Sequence, residues 1–145
     1  MTLNERSNLV LAFAQVLFVN GQATDQIVAA AKRLSGRLGM SSKVMPRWGE
    51  LQLRADDQDA TLISQVAADP TGVDMDRVAS TMRAIEDIDS GRLPPDAAKK
   101  AISMISRAAP APTWLFALAA ATGVLSQISS VDEWSPGSRI GSFGQ

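Results

Sequence analysis

The chain has 145 residues, 14 of them basic and 15 acidic, for a net charge of −1. It therefore lacks the basic excess that drives counterion release from a phosphate backbone, and no nucleic-acid partner is expected. It contains neither cysteine nor histidine, which removes disulfides, thiolate and imidazole metal sites, and the Ser-His-Asp and Cys-His nucleophile systems, leaving carboxylates, lysine and hydroxyls for any chemistry.

At this length, with 46% hydrophobic residues, one folded core is expected. Met1 to Ser7 carries Glu5 and Arg6 and no convincing cleavage site, so the N-terminus reads as part of an amphipathic helix rather than a signal peptide. Leu9, Phe13, Val16 and Leu17 recur at helical spacing between Asn8 and Asn20, and Gly21 stands where a left-handed cap belongs. Thr24 is a candidate cap for a second helix, whose stripe is Ile27, Ala31, Leu34 and Leu38 and which Gly39 stops.

The pattern then changes period. Lys43 to Trp48 reads as one strand and Glu50 to Arg54, with Leu51 and Leu53 alternating against polar residues, as a second, Gly49 making the turn. Ala60 to Ala67, with Leu62, Ile63 and Val66, returns as a third, which predicts a small antiparallel meander. After the turn Asp69-Pro-Thr-Gly72, Met75, Val78, Met82 and Ile85 mark a third helix closing at Gly91, and Ala98, Ala101, Ile102 and Ile105 mark a fourth that starts at Pro94-Pro95 and ends near Arg107.

Beyond Pro110 and Pro112, Trp114 to Val131 is 18 residues without a formal charge. Its first half is strongly apolar, but Thr122, Gly123, Ser126 and Gln127 dilute the rest, so it sits at the lower limit for crossing about 30 Å of hydrocarbon. The tail from Asp132 has loop composition and is expected to be disordered. The reading is an α+β domain over residues 2–109, built of two helices, a three-stranded antiparallel sheet and two further helices, then a truncated hydrophobic helix over 112–131 and a tail over 132–145.

Five strings, in order, carry a family resemblance: Phe18-Val-Asn-Gly-Gln22, Pro46-Arg-Trp-Gly-Glu-Leu51, Ala68-Asp-Pro-Thr-Gly-Val-Asp74, Met82-Arg-Ala-Ile85 and Gly91-Arg-Leu-Pro-Pro95. From about Asn8 to Leu125 the chain resembles the N-terminal domain of the threonine/serine exporter family of bacterial membrane transporters. The resemblance implies a soluble accessory domain at the cytoplasmic face of the cell membrane, a membrane-embedded transporter subunit as partner, and export of a small amino acid such as threonine or serine. It implies no cofactor. Nothing after Leu125 resembles the family's continuing apolar spans, so the chain is expected to be truncated in its first membrane helix and unable to transport alone, since a path needs several spans enclosing a polar cavity. The apolar Trp114 to Leu125 face makes self-association an expectation.

Two groups of residues offer themselves as sites. Arg47 and Trp48, beside the Gly49 turn, suit recognition of an anionic or zwitterionic substrate, because a guanidinium pairs bidentately with a carboxylate; alternatively Trp48 closes the end of the core and Arg47 is simply exposed. Asp69, Asp74 and Asp76, with Arg77, would suit a cation or acid–base chemistry in a hydrolase-like enzyme, but Asp74 is placed to cap a helix and Asp76 to favour its first turn, so no catalytic residue is assigned. Asp56, Asp57 and Asp59 lack the glycine and distal glutamate of a calcium loop and read as a solvated turn, so no metal is assigned. Met75 and Met82 read as core filler, and Lys99-Lys100 as an exposed face. A third alternative is a free-standing regulatory module that docks on a separate membrane subunit.

Overall fold

The first helix, α1, runs Leu3–Val19, starting earlier than its apolar spacing suggests because Thr2 and Glu5 form a reciprocal capping box ahead of it. These coordinates belong to a computed structural model that describes residues 1–107. Ser7, Leu9, Val10, Leu11, Phe13, Ala14, Val16 and Leu17 are all buried. A helix buried on nearly every side is an interior helix, not the amphipathic one read from the sequence. The reason is its place: α1 packs on helix α2 (Thr24–Arg37), on strands β2 (Glu50–Asp56) and β3 (Thr61–Ala67), and on helices α3 (Met75–Asp89) and α4 (Pro95–Arg107).

Helix α2 buries Ile27, Ala31, Leu34 and, just past its end, Leu38, as its stripe requires. Its cap differs from expectation. Thr24 is the first helical residue, and Ala23 stands at the cap with no side-chain bond. Strand β1 (Ser41–Arg47), β2 and β3 form an antiparallel sheet in the order β1-β2-β3. The register sets Val44 opposite Leu53 and Leu53 opposite Ser64, and likewise Pro46 opposite Leu51 and Leu51 opposite Val66. Leu51, Leu53 and Ala55 of the central strand are completely buried, because α1 and α2 cover that face. Ile63 falls on the other face and is exposed, so the apolar members of β3 do not share a side.

Serines sit where helix meets sheet. Ser7 of α1 faces Ser64 of β3, and Ser35 of α2 faces Ser42 of β1, each through its hydroxyl. Small side chains there let the layers approach closely while both polar atoms remain paired.

Helices α3 and α4 form the third layer, on the side of α1 and α2 away from the sheet. Asp74 caps α3 by accepting from the Arg77 backbone N–H at 3.0 Å, as its position predicts. Val78, Ile85 and Ile88 point inward, as do Ala98 and Ile102 of α4. Met82 packs on the core, but Met75 does not: it is exposed at the start of α3, contrary to its reading as core filler. The expectations for 112–131 and 132–145 lie outside the described residues. Among those described, no helix is long and apolar enough to cross a membrane.

Candidate functional site

Strands β1 and β2 are joined by Trp48-Gly49 alone, with Arg47 paired to Glu50 across the ladder. Gly49 has a φ of +71°, a conformation that a side chain strains. Its carbonyl accepts from the Ala68 N–H at 2.9 Å, which pins the tip against the segment that follows β3. The turn thus projects the two residues before Gly49 outward.

Trp48 is 103% exposed, the most exposed large hydrophobic side chain among the described residues. It does not close the core, as one reading of the sequence would have it. Tryptophan is highly buried on average, and this one stands instead on a turn pinned by the Gly49–Ala68 bond. Arg47 beside it is exposed, and its side chain makes no ion pair or hydrogen bond among the described residues. The two border an open, mostly apolar cleft of about 340 Å³, with Phe18, Pro46, Gly49 and Pro70 as its other walls.

Three separate stretches build this end of the domain. Phe18 comes from the last turn of α1, where Gly21 takes a φ of +87° and Gln22 donates back to the Leu17 carbonyl at 3.0 Å. The 68–74 segment is tied to that same helix end, Thr71 N–H donating to the Val19 carbonyl at 3.4 Å and Asp74 N–H to the Asn20 carbonyl at 3.2 Å. Val73 lies over Gly21, so close that a Cβ there would sit 3.0 Å from its methyl group. Val73 and Met75 are themselves exposed, so apolar surface continues past Pro70. Half-buried Phe18 and exposed Val73 and Met75 escaped the sequence reading as members of this surface, because helical periodicity marks Met75 as core and gives no sign that the end of α1 and the segment after the turn meet here. The available signal was that Phe18, Pro46 and Pro70 each lie in one of the recurring strings.

The acidic residues have other employment. Asp74 caps α3 and faces the Arg77 guanidinium at 3.6 Å. Asp57 is not merely solvated: it accepts from the Gln58 backbone N–H and pairs with Arg6, which together hold its carboxyl below the ordinary range. Asp56 is lowered likewise, first by the Thr61 hydroxyl and then by Arg54. Among the described residues no cluster of acidic side chains is placed to hold a metal ion. A second open cleft, near Arg6, Arg37 and Asp96, has its guanidinium groups engaged, Arg6 with the Leu38 and Gly39 carbonyls and Arg37 with that of Ile88.

A family model for threonine/serine exporters matches residues 8–127. The chain belongs to the threonine/serine exporter family. This is a family of transporters, which associates the chain with membranes and with amino-acid export. Neither the curated proteins nor the solved structures contain a match. Of the five strings that carry the exporter resemblance, the first three, around Phe18, Pro46 and Pro70, converge on the Arg47–Trp48 cleft.

Proposed function

We propose that this chain serves as an accessory domain of a threonine/serine exporter-type transporter, at the cytoplasmic face of the cell membrane. It works with a membrane-embedded subunit and exports nothing by itself, since export needs several spans enclosing a polar path, which in this reading the subunit supplies. The observation that carries this reading is the exporter match over residues 8–127, which takes in both the folded domain and the start of the apolar segment. Arg47 and Trp48 are its recognition surface for an anionic or zwitterionic group, the guanidinium supplying the paired hydrogen bonds that a carboxylate or phosphate accepts.

The hydrolase alternative has less support. Of its candidate carboxylates, Asp74 is committed to a cap, Asp69 and Asp76 are exposed, and none of the three lines the Arg47–Trp48 cleft. An export assay tests the proposal. Cells preloaded with labelled threonine should release no more than control cells when they make this chain alone, and more when they also make the membrane-embedded subunit than with that subunit alone. Release driven by the chain alone, or a subunit indifferent to its presence, would overturn it.

A further inference from the structure

The direction of α4 gives the domain an orientation. At its start, Pro95 and Asp96 lie near Met1, Arg6 and Leu38, and Lys99 pairs with Glu5 at 3.2 Å, so it begins beside the N-terminal end of α1. Helix α3 runs the other way, from Asp74 bonded to Asn20 at the C-terminal end of α1 to Ile88, whose carbonyl accepts from Arg37. A short link, residues 90–94, joins the two packed helices, so α4 turns back along α3. With 15 residues in α3 and 13 in α4, or ~22 and ~20 Å, Arg107 returns to about the level of Met75. The end of the domain that displays Phe18, Trp48, Pro70, Val73 and Met75 is therefore the end from which the chain departs toward its apolar segment.

We propose that this end of the domain rests in the headgroup region of the lipid bilayer, with Trp48 as the inserted side chain and Arg47 paired to lipid phosphate. The inference rests on the membrane-bound reading above and names the surface that meets the membrane. Tryptophan partitions to the membrane–water interface, where its ring meets acyl chains and its N–H stays wet, and a guanidinium pairs with phosphate in a forked geometry. Trp48 stands on a hairpin held by the Gly49–Ala68 bond, so little backbone freedom is lost when it inserts. Val73 and Met75 extend the apolar footprint. Asp69 and Asp76 are exposed at the same end and oppose a strongly anionic surface, so binding comes from the aromatic side chain and does not require acidic lipid.

The test uses the full chain with Trp114→Phe and Trp134→Phe, which leaves Trp48 as the one indole. On phosphatidylcholine vesicles its emission should move to the blue, iodide should lose access to it, and spin labels near the headgroup should quench it better than labels deep in the chains. Trp48→Ala in the otherwise native chain should lower vesicle partition about tenfold, as expected for one large side chain returned to water. Because Trp48 is fully exposed, the variant keeps its fold, which circular dichroism checks. A chain that floats with vesicles while Trp48 stays open to iodide overturns this docking face and leaves the accessory role intact. A chain that ignores vesicles overturns it too, and the export assay then judges the role separately. An emission shift produced by free threonine without lipid would assign the surface to the transported amino acid instead, and Trp48 shielded only by rising protein concentration would assign it to a second copy.

Discussion

Arg6 and Asp57, 51 residues apart in sequence, meet as an ion pair that fastens the start of α1 to the turn between β2 and β3. The Arg6 side chain is only 17% exposed and also donates to the Leu38 and Gly39 carbonyls at 3.0 and 3.2 Å, so one guanidinium joins the first helix, the end of the second and the sheet. Removing it leaves two carbonyls without this donor and strips the Asp57 carboxylate of its cation, leaving it the Gln58 N–H. Arg6→Ala should destabilise the domain by about 2–3 kcal/mol in urea unfolding, and Arg6→Lys should recover only part of that because an ammonium cannot span all three acceptors.

Acid should loosen the same junction. Asp57 has its carboxyl held below the ordinary aspartate value of 3.8, by the Gln58 N–H and by Arg6. A lowered folded-state value means that the unfolded chain binds the proton more readily. Stability from this group is therefore complete above pH 3.8 by a unit or so and is lost as the pH falls through the folded-state value. Melting curves between pH 3 and 6 should show Asp57→Asn less stable than the native chain at pH 6, with the gap closing toward pH 3.

The hairpin tip and the strand behind it should respond in opposite ways to truncation. Trp48→Ala should change stability by no more than about 0.5 kcal/mol, since the indole touches no core. Leu53→Ala, five residues on and completely buried, should cost about 2–5 kcal/mol. Equal losses at the two positions would mean that Trp48 folds back onto the protein.

Gly49 should tolerate substitution poorly. At a φ of +71°, alanine is strained, and its Cβ would lie 2.9 Å from an Asp69 carboxylate oxygen. Gly49→Ala should cost about 1–2 kcal/mol in thermal or urea unfolding, and Gly49→Asn less, because asparagine enters the left-handed region more readily. The Asp69 side chain is flexible and can move aside, so adding Asp69→Ala should rescue little of the loss.

Asp74 separates a capping role from a chemical one. Asp74→Ala should cost about 1 kcal/mol, while Asp74→Asn should be nearly neutral, because an amide oxygen also accepts from the Arg77 N–H. A hydrolase would instead lose turnover on Asp74→Asn with its stability intact.

Much of the architecture was readable because its signals are local. Alternation of Leu51 and Leu53 with polar neighbours identified β2 and its buried face, the stripe Ile27, Ala31, Leu34 and Leu38 identified α2, and the residues at Gly21, Gly39, Gly49 and Gly91 marked the ends of elements by their backbone freedom. Where the reading failed, a distant partner intervened. Periodicity could not show that α1 is covered on nearly every side, nor that Ile63 and Met75 face outward, because each depends on what packs against the element rather than on the element itself. The capping box at Thr2 and Glu5 was legible in principle and lay just ahead of the apolar run that drew the boundary.

For the site, the sequence by itself determined which residue types are available: an arginine and a tryptophan beside a turn glycine, in a chain with no histidine or cysteine and with the strings of an exporter. Only the tertiary structure decided that Trp48 stands free of the core and that Phe18 and Pro70 come from other parts of the chain to wall its cleft. The reason is physical. Chemistry and local conformation are properties of short stretches, whereas exposure is set by what the rest of the chain brings, or fails to bring, against a side chain.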